Sequence, residues 1–464
     1  MSKRLNLHVP FLLGIFLIGF FSANVSQAQI YTNVYWNPTN GLGGTGSWGI
    51  SSSFWSTNSA GGGTLTNSTA LGAYGIYNFS GTAGTVTNVS SVIVGGMNWL
   101  TSGYTFLTTG ITYTATDTNI TTGTNSIFIT SNANLNITGS GVTLKGLSMT
   151  GGAGSTVTLT NGLGTNGTIL FGSTVANSGR TNSVNTIIAG GGINVLGTTG
   201  GGGFTQAGNI TNNSTGTFVL TNNASGGVNI AGAISGTGAV ILANTGTGDM
   251  SLKASNSYSG GTIIQHPTGD TNGAGSVGIY NSTAFGSGTV TIAGAGTNYI
   301  RSYASSLNIT NAITINNGST LRLATSTSGW NETVSGVVSG AGGIYYTFTD
   351  TQRLLNTNNS FGGGVNIASG TDVQVNNIGT SGSISSLGTN RVVTFSSLSG
   401  SGAAGTLRWL GTSSENSDKS FALNTISSSA NSGMKIYAGD TSSGGTNVTP
   451  VSYTHLTLPT KRIV

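Results

Sequence analysis

The sequence predicts an all-β fold, a right-handed parallel β-helix or β-solenoid of irregular coils rich in Gly, Asn and Thr. Three observations lead to this prediction: short apolar and polar runs with period two, frequent Gly and Asn turns, and motifs that return after about a hundred residues. No window of eleven or more residues shows helical periodicity. We therefore expect stacked coils rather than compact globular domains.

The period-two runs are short and contain many β-branched residues, as in residues 156–160, 289–292, 307–310 and 312–315. Alternation of this kind places apolar side chains on one face of a strand and polar ones on the other. Gly and Asn interrupt the runs at short intervals, where they readily adopt the positive φ of tight turns. The pattern predicts many short strands, each with one buried face.

The composition is unusual for a soluble domain. Only 5% of the 464 residues are charged, 36% are hydrophobic, 78 are Gly and none is Cys. Disordered chains combine low hydrophobicity with high net charge, so this chain has enough apolar residues to form a core instead. Without disulfides, stability must come from hydrogen-bonded β-structure and repeated packing. The outer surface must be covered by neutral hydroxyls and amides.

The formal charge of +5 overstates the basic character of the chain. Four of its fourteen basic residues lie at the ends, as Lys3, Arg4, Lys461 and Arg462. No basic patch with interleaved aromatic residues occurs between them, so the sequence offers no support for nucleic-acid binding. Nucleotide-binding motifs are missing in their required context, and we expect no small-molecule cofactor.

Residues 1–28 have the pattern of a secretory signal peptide. Lys3 and Arg4 form the basic start, residues 9–21 the apolar stretch, and Ser26-Gln27-Ala28 a small-x-small cleavage site. We expect export to the outer membrane, the cell surface or the extracellular space.

Residues 29–60 are predicted to form an aromatic N-terminal cap. Three of the six Trp residues lie here, and the first coil of a stack needs large side chains to cover its apolar face. A platform that stacks against carbohydrate is the alternative interpretation.

A larger repeat organises the predicted solenoid, residues 61–449, most clearly over 232–400. Gly-Ala-Ile-Ser-Gly-Thr-Gly at 232–238 matches Gly-Val-Val-Ser-Gly-Ala-Gly at 336–342, displaced by 104 positions. Each copy is followed by a second motif, Asn-Ser-Tyr-Ser-Gly-Gly-Thr at 256–262 or Asn-Ser-Phe-Gly-Gly-Gly-Val at 359–365. A weaker echo of the first motif occurs at 398–402.

The two motifs together resemble the autotransporter-associated β-strand repeat of large bacterial passenger proteins. The opening Gly-Leu-Gly-Gly-Thr-Gly-Ser-Trp at 41–48, with Phe54 and Trp55, is similar to the start of such proteins. The resemblance implies an exported β-solenoid passenger, carried to the surface by a separate C-terminal translocator. Stacked coils that project from the cell can bind by many weak contacts at once, so we expect adhesion, matrix building or surface display without catalysis.

The end of the chain departs from that plan, because residues 450–464 break the composition of everything before them. Residues 451–460 resemble the translation of a sequencing adapter. We expect this tail to be non-native, with the natural C-terminus and its translocator or anchor missing.

The chemistry-bearing residues argue against an enzyme. His266 is the only histidine outside the leader and the tail, and its neighbours form no nucleophile motif. One histidine and scattered carboxylates do not supply the three or four ligands of a zinc site. The sequence thus predicts no catalytic, cofactor-binding or metal-binding residue.

Two carboxylate pairs need a separate test, because they could lie on neighbouring coils about 4.8 Å apart. They are Asp249 with Asp270, and Asp350 with Asp372 near Arg353. Such a spacing would suit calcium or a two-carboxylate polysaccharide lyase or hydrolase. Duplication of the repeat also produces it, and we expect solvated turn residues.

A further group of charged residues, Glu415 and Asp418 near Lys419, is expected to form an exposed local cluster.

The leading functional hypothesis is therefore adhesion to an extracellular polysaccharide or to a host or matrix surface. Many weak contacts along the coils would add up through multivalency. A carbohydrate-active β-helix using the Asp pairs and a self-assembling surface scaffold remain as alternatives.

Overall fold

The computed structural model divides the chain into two units, Met1–Ile30 and Tyr31–Val464. The residues that it describes all belong to the second unit, and the predicted signal peptide and tail lie outside them. They are 32–39, 41–67, 75–90, 92–94, 96–101, 104–109, 112–115, 126–129, 134–140, 143–145, 148–151, 156–161, 168–173, 180–183, 185–198, 202–223, 225–265, 275–348, 351–396, 405–424 and 434–438.

The described residues form short strands and turns, with no helix among them. From the start of the chain to residue 212, the strands are β1 (Thr32–Trp36), β2 (Gly46–Trp48), β3 (Trp55–Ser56), β4 (Leu65–Thr66), β5 (Gly75–Phe79), β6 (Thr85–Asn88), β7 (Val92–Val94), β8 (Gly96–Trp99), β9 (Tyr104–Thr109), β10 (Thr112–Ala115), β11 (Ser126–Ile129), β12 (Asn134–Ser140), β13 (Thr143–Lys145), β14 (Ser148–Gly151), β15 (Thr156–Asn161), β16 (Thr168–Ser173), β17 (Arg180–Asn182), β18 (Asn185–Gly190), β19 (Ile193–Thr198), β20 (Phe204–Gln206) and β21 (Ile210–Asn212). The later strands are β22 (Thr217–Asn222), β23 (Val228–Ile230), β24 (Ile234–Gly236), β25 (Val240–Asn244), β26 (Met250–Leu252), β27 (Thr262–Gln265), β28 (Val277–Ile279), β29 (Val290–Ile292), β30 (Gly296–Ser302), β31 (Leu307–Ile309), β32 (Ile313–Ile315), β33 (Ser319–Thr325), β34 (Asn331–Val334), β35 (Val338–Gly340), β36 (Gly343–Tyr346), β37 (Thr351–Leu354), β38 (Val365–Ala368), β39 (Asp372–Val375), β40 (Val392–Ser396), β41 (Gly405–Trp409), β42 (Ser420–Asn424) and β43 (Met434–Ala438).

These strands belong to four sheets, of 18, 11, 8 and 6 strands. In the 18-stranded sheet, here the long sheet, β3 pairs antiparallel with β1 and with β4, and all other pairings are parallel, from β1 with β5 to β40 with β42. The 8-stranded sheet runs from β2 to β24, the 11-stranded sheet from β7 to β35, and the 6-stranded sheet from β31 to β43. From β5 onward, consecutive strands of the chain lie in different sheets, and strands of neighbouring coils pair with each other. The predicted all-β parallel solenoid is confirmed, while its right-handedness stays a prediction.

Alternation along each strand builds the core. β29, β31 and β32 each bury their first and third residues and leave the second half-exposed, as the period-two runs predict. Residues in register across the long sheet then stack into one buried apolar column: Met250, Val277, Ile300, Leu323, Tyr346, Ile367 and Phe395. Full burial of each such side chain contributes about 1.5–3 kcal/mol. A single coil has no such column, so the coils are stable only when several of them stack on one another.

Three of the coils within this column are regular. Ile300, Leu323 and Tyr346 each lie 23 residues after the residue with which they pair. Other coils are longer, since Phe395 lies 28 residues beyond Ile367. The long sheet tolerates this variation because the added residues lie in turns rather than in strands.

The first repeat motif ends a sheet in both of its copies. The copy at 232–238 contains β24, the last strand of the 8-stranded sheet. The copy at 336–342 contains β35, the last strand of the 11-stranded sheet. One coil later, at each place, the chain forms no strand and instead contains the second motif, Asn-Ser-Tyr or Asn-Ser-Phe.

An asparagine side chain replaces the missing strand partner. Asn256 Oδ1 accepts the Ile234 N–H at 2.7 Å, and its Nδ2 donates to the Ala284 carbonyl at 2.6 Å. Asn359 makes equivalent bonds, accepting from the Val338 N–H at 2.7 Å and donating to the Ser386 carbonyl at 3.1 Å. Both asparagines are buried, where an unpaired amide would be costly. The motif therefore supplies an acceptor to the Ile234 and Val338 N–H groups where the next strand is missing.

Glycine is required at the last position of each closing strand. Gly236 and Gly340 have φ of 102° and 101°, a region that favours glycine. A Cβ at either position would lie 2.2 Å or 2.1 Å from a carbonyl oxygen of the previous coil. The spacing of the coils is thus incompatible with a larger residue here.

Aromatic residues pack together at the beginning of the stack. Trp36, Trp48 and Trp55 are fully buried and contact Tyr77 and Phe79, with ring centroids 4.7–6.1 Å apart. β3 pairs antiparallel with β1, on the edge of β1 that does not pair with β5. The domain boundaries given above, including residues 29–60 for the cap, stay predictions.

Candidate functional site

Three of the candidate residues from the sequence, His266, Asp270 and Asp350, lie outside the described residues, as does the echo motif at 398–402. The carboxylate pairs therefore stay untested as pairs. Their other members, Asp249 and Asp372, are described, and each is engaged by neighbouring side chains.

Asp249 lies just before β26 and bonds to two later coils. Its Oδ1 accepts the Ser276 N–H at 3.1 Å and the Ser276 hydroxyl at 2.7 Å, while its Oδ2 accepts the Tyr303 hydroxyl. A carboxylate that accepts three hydrogen bonds serves as a structural acceptor in this conformation.

Asp372 opens β39, where its partner in the preceding coil is Thr351. Its Oδ2 accepts from Arg408 Nε at 3.2 Å, in the following coil. Arg353, expected near the carboxylates, instead donates from Nε to Gln374 Oε1 at 2.9 Å. These contacts join neighbouring coils of the 6-stranded sheet.

The expectation of an exposed charge cluster at Glu415, Asp418 and Lys419 is wrong for Lys419, which is buried. Its ammonium donates to the carbonyls of Gly388 at 3.0 Å and Asn390 at 2.5 Å. Burial lowers the Lys419 pKa, although the nearby Asp418 and Glu415 act in the opposite direction.

The two carboxylates bind backbone rather than solvent alone. Glu415 accepts the Ile378 and Gly379 N–H groups at 3.0 Å and 2.5 Å, and Asp418 accepts the Ser381 N–H at 2.5 Å. Together with Lys419 they fasten the long turn before β40 to the turn before β42.

Among the described residues, no three or more His, Cys, Asp or Glu side chains are grouped as metal ligands would be. The same part of the chain contains no helix of the length and apolar character needed to cross a membrane.

The most chemically varied surface lies on the outer face of the long sheet, around β30. Arg301 and Tyr303, at and just after the end of β30, are half-exposed, while Tyr299, Ile300 and Ser302 are buried. With side chains of neighbouring coils they form a group here called the aromatic–cation strip: Lys253, Tyr280, Tyr299, Arg301, Tyr303, Arg322 and Phe348.

One end of the strip is a pair of stacked rings. Tyr280 and Tyr303 lie in consecutive coils with centroids 5.1 Å apart and an interplanar angle of 9°. The close approach requires Gly278, because a Cβ there would lie 2.8 Å from the Tyr303 ring. Lys253 Nζ lies 5.5 Å from the Tyr280 centroid, on an exposed side chain.

Two arginines occupy the other end. The Arg301 guanidinium carbon lies 5.3 Å from the Tyr303 centroid and 5.6 Å from that of Phe348. Arg322 lies 4.3 Å over the Tyr299 ring, and its Nε donates to Thr347 Oγ1 at 3.0 Å. Such contacts of cations with ring faces contribute about 0.5–1 kcal/mol each at exposed sites.

The hydroxyl of Tyr303 stays protonated in this environment. Burial is the main factor that raises the Tyr303 pKa to about 12, and the hydrogen bond to Asp249 acts in the same direction. The hydroxyl is consequently a donor to Asp249 at every physiological pH.

Sequence reasoning missed this strip, although two signals were present. Tyr280 and Tyr303 are 23 residues apart, and Tyr299, Arg322 and Tyr345 repeat the same spacing, the length of the regular coils. Tyr299, Arg301 and Tyr303 also alternate along one strand. This chain has few charged residues, so large or charged side chains that recur once per coil indicate that they lie in one column on the outer face.

Comparison with known proteins agrees with the repeat motifs. The chain is 32% identical over 327 residues to the "Adhesin BmaC autotransporter" of Brucella suis biovar 1 (strain 1330), a match that covers 66% of this chain. The chain spans about 8% of the length of that relative. No protein-family profile matches, and no solved structure matches.

The similarity and the parallel solenoid together fit an autotransporter passenger-type protein, as the repeat motifs predict. The relative is named as an adhesin and as an autotransporter.

Proposed function

We propose that this chain is a surface-displayed passenger segment that mediates adhesion without catalysis. The observation that carries the proposal is the long parallel sheet, in which outward residues recur once per coil. A weak contact made by one coil can therefore be repeated by its neighbours, and repeated contacts raise avidity. The adhesin name of the similar autotransporter supports the same role.

The outer columns are mainly neutral. Thr211 and Ser235 pair across two coils with hydroxyl oxygens 3.4 Å apart, and Thr314 and Ser339 do the same. Hydroxyls in such columns both donate and accept hydrogen bonds. Partners that present many hydroxyls, namely extracellular polysaccharides and glycosylated host or matrix surfaces, match this chemistry.

Non-enzymatic action is part of the proposal. Asp249 and Asp372, the described members of the carboxylate pairs, both bind neighbouring coils instead of standing free for acid or base chemistry. Incubation of the full chain with plant, algal and host polysaccharides should release no new reducing ends or unsaturated sugars. Release that is lost in Asp249→Ala would instead establish a carbohydrate-active enzyme.

Adhesion is tested directly with beads that carry the full chain at graded density. Beads should attach to cells or matrix with a steep dependence on density, because many contacts must act together. Beads with the same chain after denaturation are the control. Attachment that is equal for the folded and the denatured chain would contradict the proposal.

A further inference from the structure

We infer that the aromatic–cation strip is a binding site for an acidic polysaccharide. The inference deepens the adhesive role proposed above and rests on it, since it names a site and a ligand class for one outer face. Sugar rings would pack against the aromatic rings, and the carboxylate or sulfate groups of the ligand would pair with Arg301 and Lys253.

Arg301 carries the first step of the argument. Its half-buried side chain contacts the rings of Tyr303 and Phe348 but makes no hydrogen bond or ion pair within the described part of the chain. Its Nε is buried and has no acceptor there. A guanidinium has five N–H donors in a fixed planar arrangement that suits carboxylate and sulfate oxygens. An anionic ligand on the outer face would pair with the terminal N–H groups of the guanidinium, which are not among its buried atoms.

Phe348 gives a second, independent observation. Its φ is 74°, in a region that non-glycine residues rarely adopt, and the residue is 37% exposed. Strained conformations of this kind cost about 1–3 kcal/mol and tend to occur at binding sites. The strain holds an apolar ring outward next to two arginines, where it contributes little to the core.

The net charge of the strip favours a negatively charged ligand. Two of its cations, Lys253 and Arg301, are exposed or half-exposed, whereas Arg322 is buried and bonded to Thr347. The described carboxylate beside them is that of Asp249. Asp249 is already occupied by Ser276 and Tyr303. In a chain with only 5% charged residues, this local excess of positive charge is complementary to an anion.

The ring arrangement favours a sugar polymer over a peptide or a simple anion. Tyr280, Tyr303 and Phe348 are partly exposed rings spread over several coils of one face. The two tyrosines stack on each other with Lys253 and Arg301 over them, so a sugar polymer would contact their exposed edges together with the Phe348 ring. A small anion would use only the cations.

The test measures binding of the full chain to immobilised dextran sulfate and polygalacturonate, with neutral dextran and polyglutamate as controls. The two acidic polysaccharides distinguish sulfate from carboxylate recognition, and binding to either supports the inference. Affinity should exceed that for dextran and polyglutamate by about tenfold or more, because both charge and sugar contribute. Equal binding to polyglutamate, or no binding to either acidic polysaccharide, would overturn the inference.

Two variants locate the site. Arg301→Gln should weaken binding about tenfold through loss of a charge-assisted contact, whereas the matched variant of the exposed Arg391, Arg391→Gln, should leave binding unchanged. Phe348→Gly should weaken binding while keeping or raising the melting temperature, because glycine relieves the strained φ. Equal effects of Arg301→Gln and Arg391→Gln would show attraction by net charge and reject the site.

The same variants separate this inference from the adhesive role. Beads that carry Arg301→Gln and still attach fully to cells would exclude this strip as the adhesive site and leave the adhesive role standing. Wild-type beads that fail to attach would contradict the adhesive role, whatever the polysaccharide assay shows.

Discussion

The two copies of the repeat make the same contacts on different faces of the solenoid. The copy at 232–238 closes the 8-stranded sheet, whereas the copy at 336–342 closes the 11-stranded sheet. Along the chain, these two sheets hold successive strands of one coil, as in β24 and β25. The second copy of the repeat therefore lies on the face of the solenoid that follows, along the chain, the face of the first copy. The motif specifies the end of a sheet locally, whichever face it occupies.

The copies also differ in one buried pair. In the first copy the Tyr258 hydroxyl lies 2.6 Å from Thr262 Oγ1, and that oxygen lies 3.1 Å from the Phe285 carbonyl, to which it donates. In the second copy, Phe361 and Val365 stand at the corresponding positions, fully buried and apolar. A hydrogen-bonded pair and an apolar pair of similar shape thus fill equivalent space.

The largest expected effect comes from the closing glycines. Gly236→Ala and Gly340→Ala should each destabilise the surrounding coils by about 3 kcal/mol, from a disfavoured φ together with a clash against the previous coil. Amide hydrogen exchange across both copies measures the local loss. Gly318→Ala is the matched control, because φ is 78° there but the space around it is open. If Gly318→Ala is as damaging as the other two, the coil spacing does not impose the glycine.

The next effect is expected from the asparagines that replace the missing strand. Asn256→Ala and Asn359→Ala should each cost about 2 kcal/mol, since a buried N–H and a buried carbonyl lose their partners. Exchange of the Ile234 or Val338 amide should accelerate only in the copy that is changed. Asn317→Ala, at an exposed turn, should have little effect. If the two asparagine substitutions reduce the free energy of unfolding by different amounts, the two copies are not equivalent.

The smallest effect concerns the pair that differs between the copies. Tyr258→Phe should cost about 1 kcal/mol, because Thr262 loses one hydrogen-bond partner in a buried site. Adding Thr262→Val, which copies the second repeat, should recover most of that loss. The unfolding free energies of the two single variants and the double variant give the coupling. A double variant that is less stable than the sum of the single changes would show that the two pairs are not interchangeable.

Much of the fold was accessible from the sequence, because period-two runs and repeated motifs are local signals. Residues 307–310 and 312–315 gave strands with the expected buried faces, and the displaced motifs marked equivalent contacts. Coil lengths were less accessible, since nothing local distinguishes the 23-residue coils from the 28-residue coil before Phe395.

The candidate site was less accessible still. Tyr280 and Tyr303 meet only because the coil between them has a certain length, and the face they share depends on the register. Lys419 looked exposed because its neighbours are charged, yet its ammonium donates to two carbonyls of the turn before β40. Register and turn packing are tertiary properties, which composition and spacing do not determine.

The central claim is that these coils stack in parallel and that the two motif copies occupy equivalent places in the stack. The chain contains no cysteine, so engineered pairs give an unambiguous test. Thr211→Cys with Ser235→Cys, and Thr314→Cys with Ser339→Cys, place thiols at positions where hydroxyl oxygens are 3.4 Å apart. On mild oxidation, we expect both pairs to form disulfides within one chain, while Thr211→Cys with Ser339→Cys forms none. Crosslinks in the mixed pair, or crosslinks only between separate chains, would contradict the account.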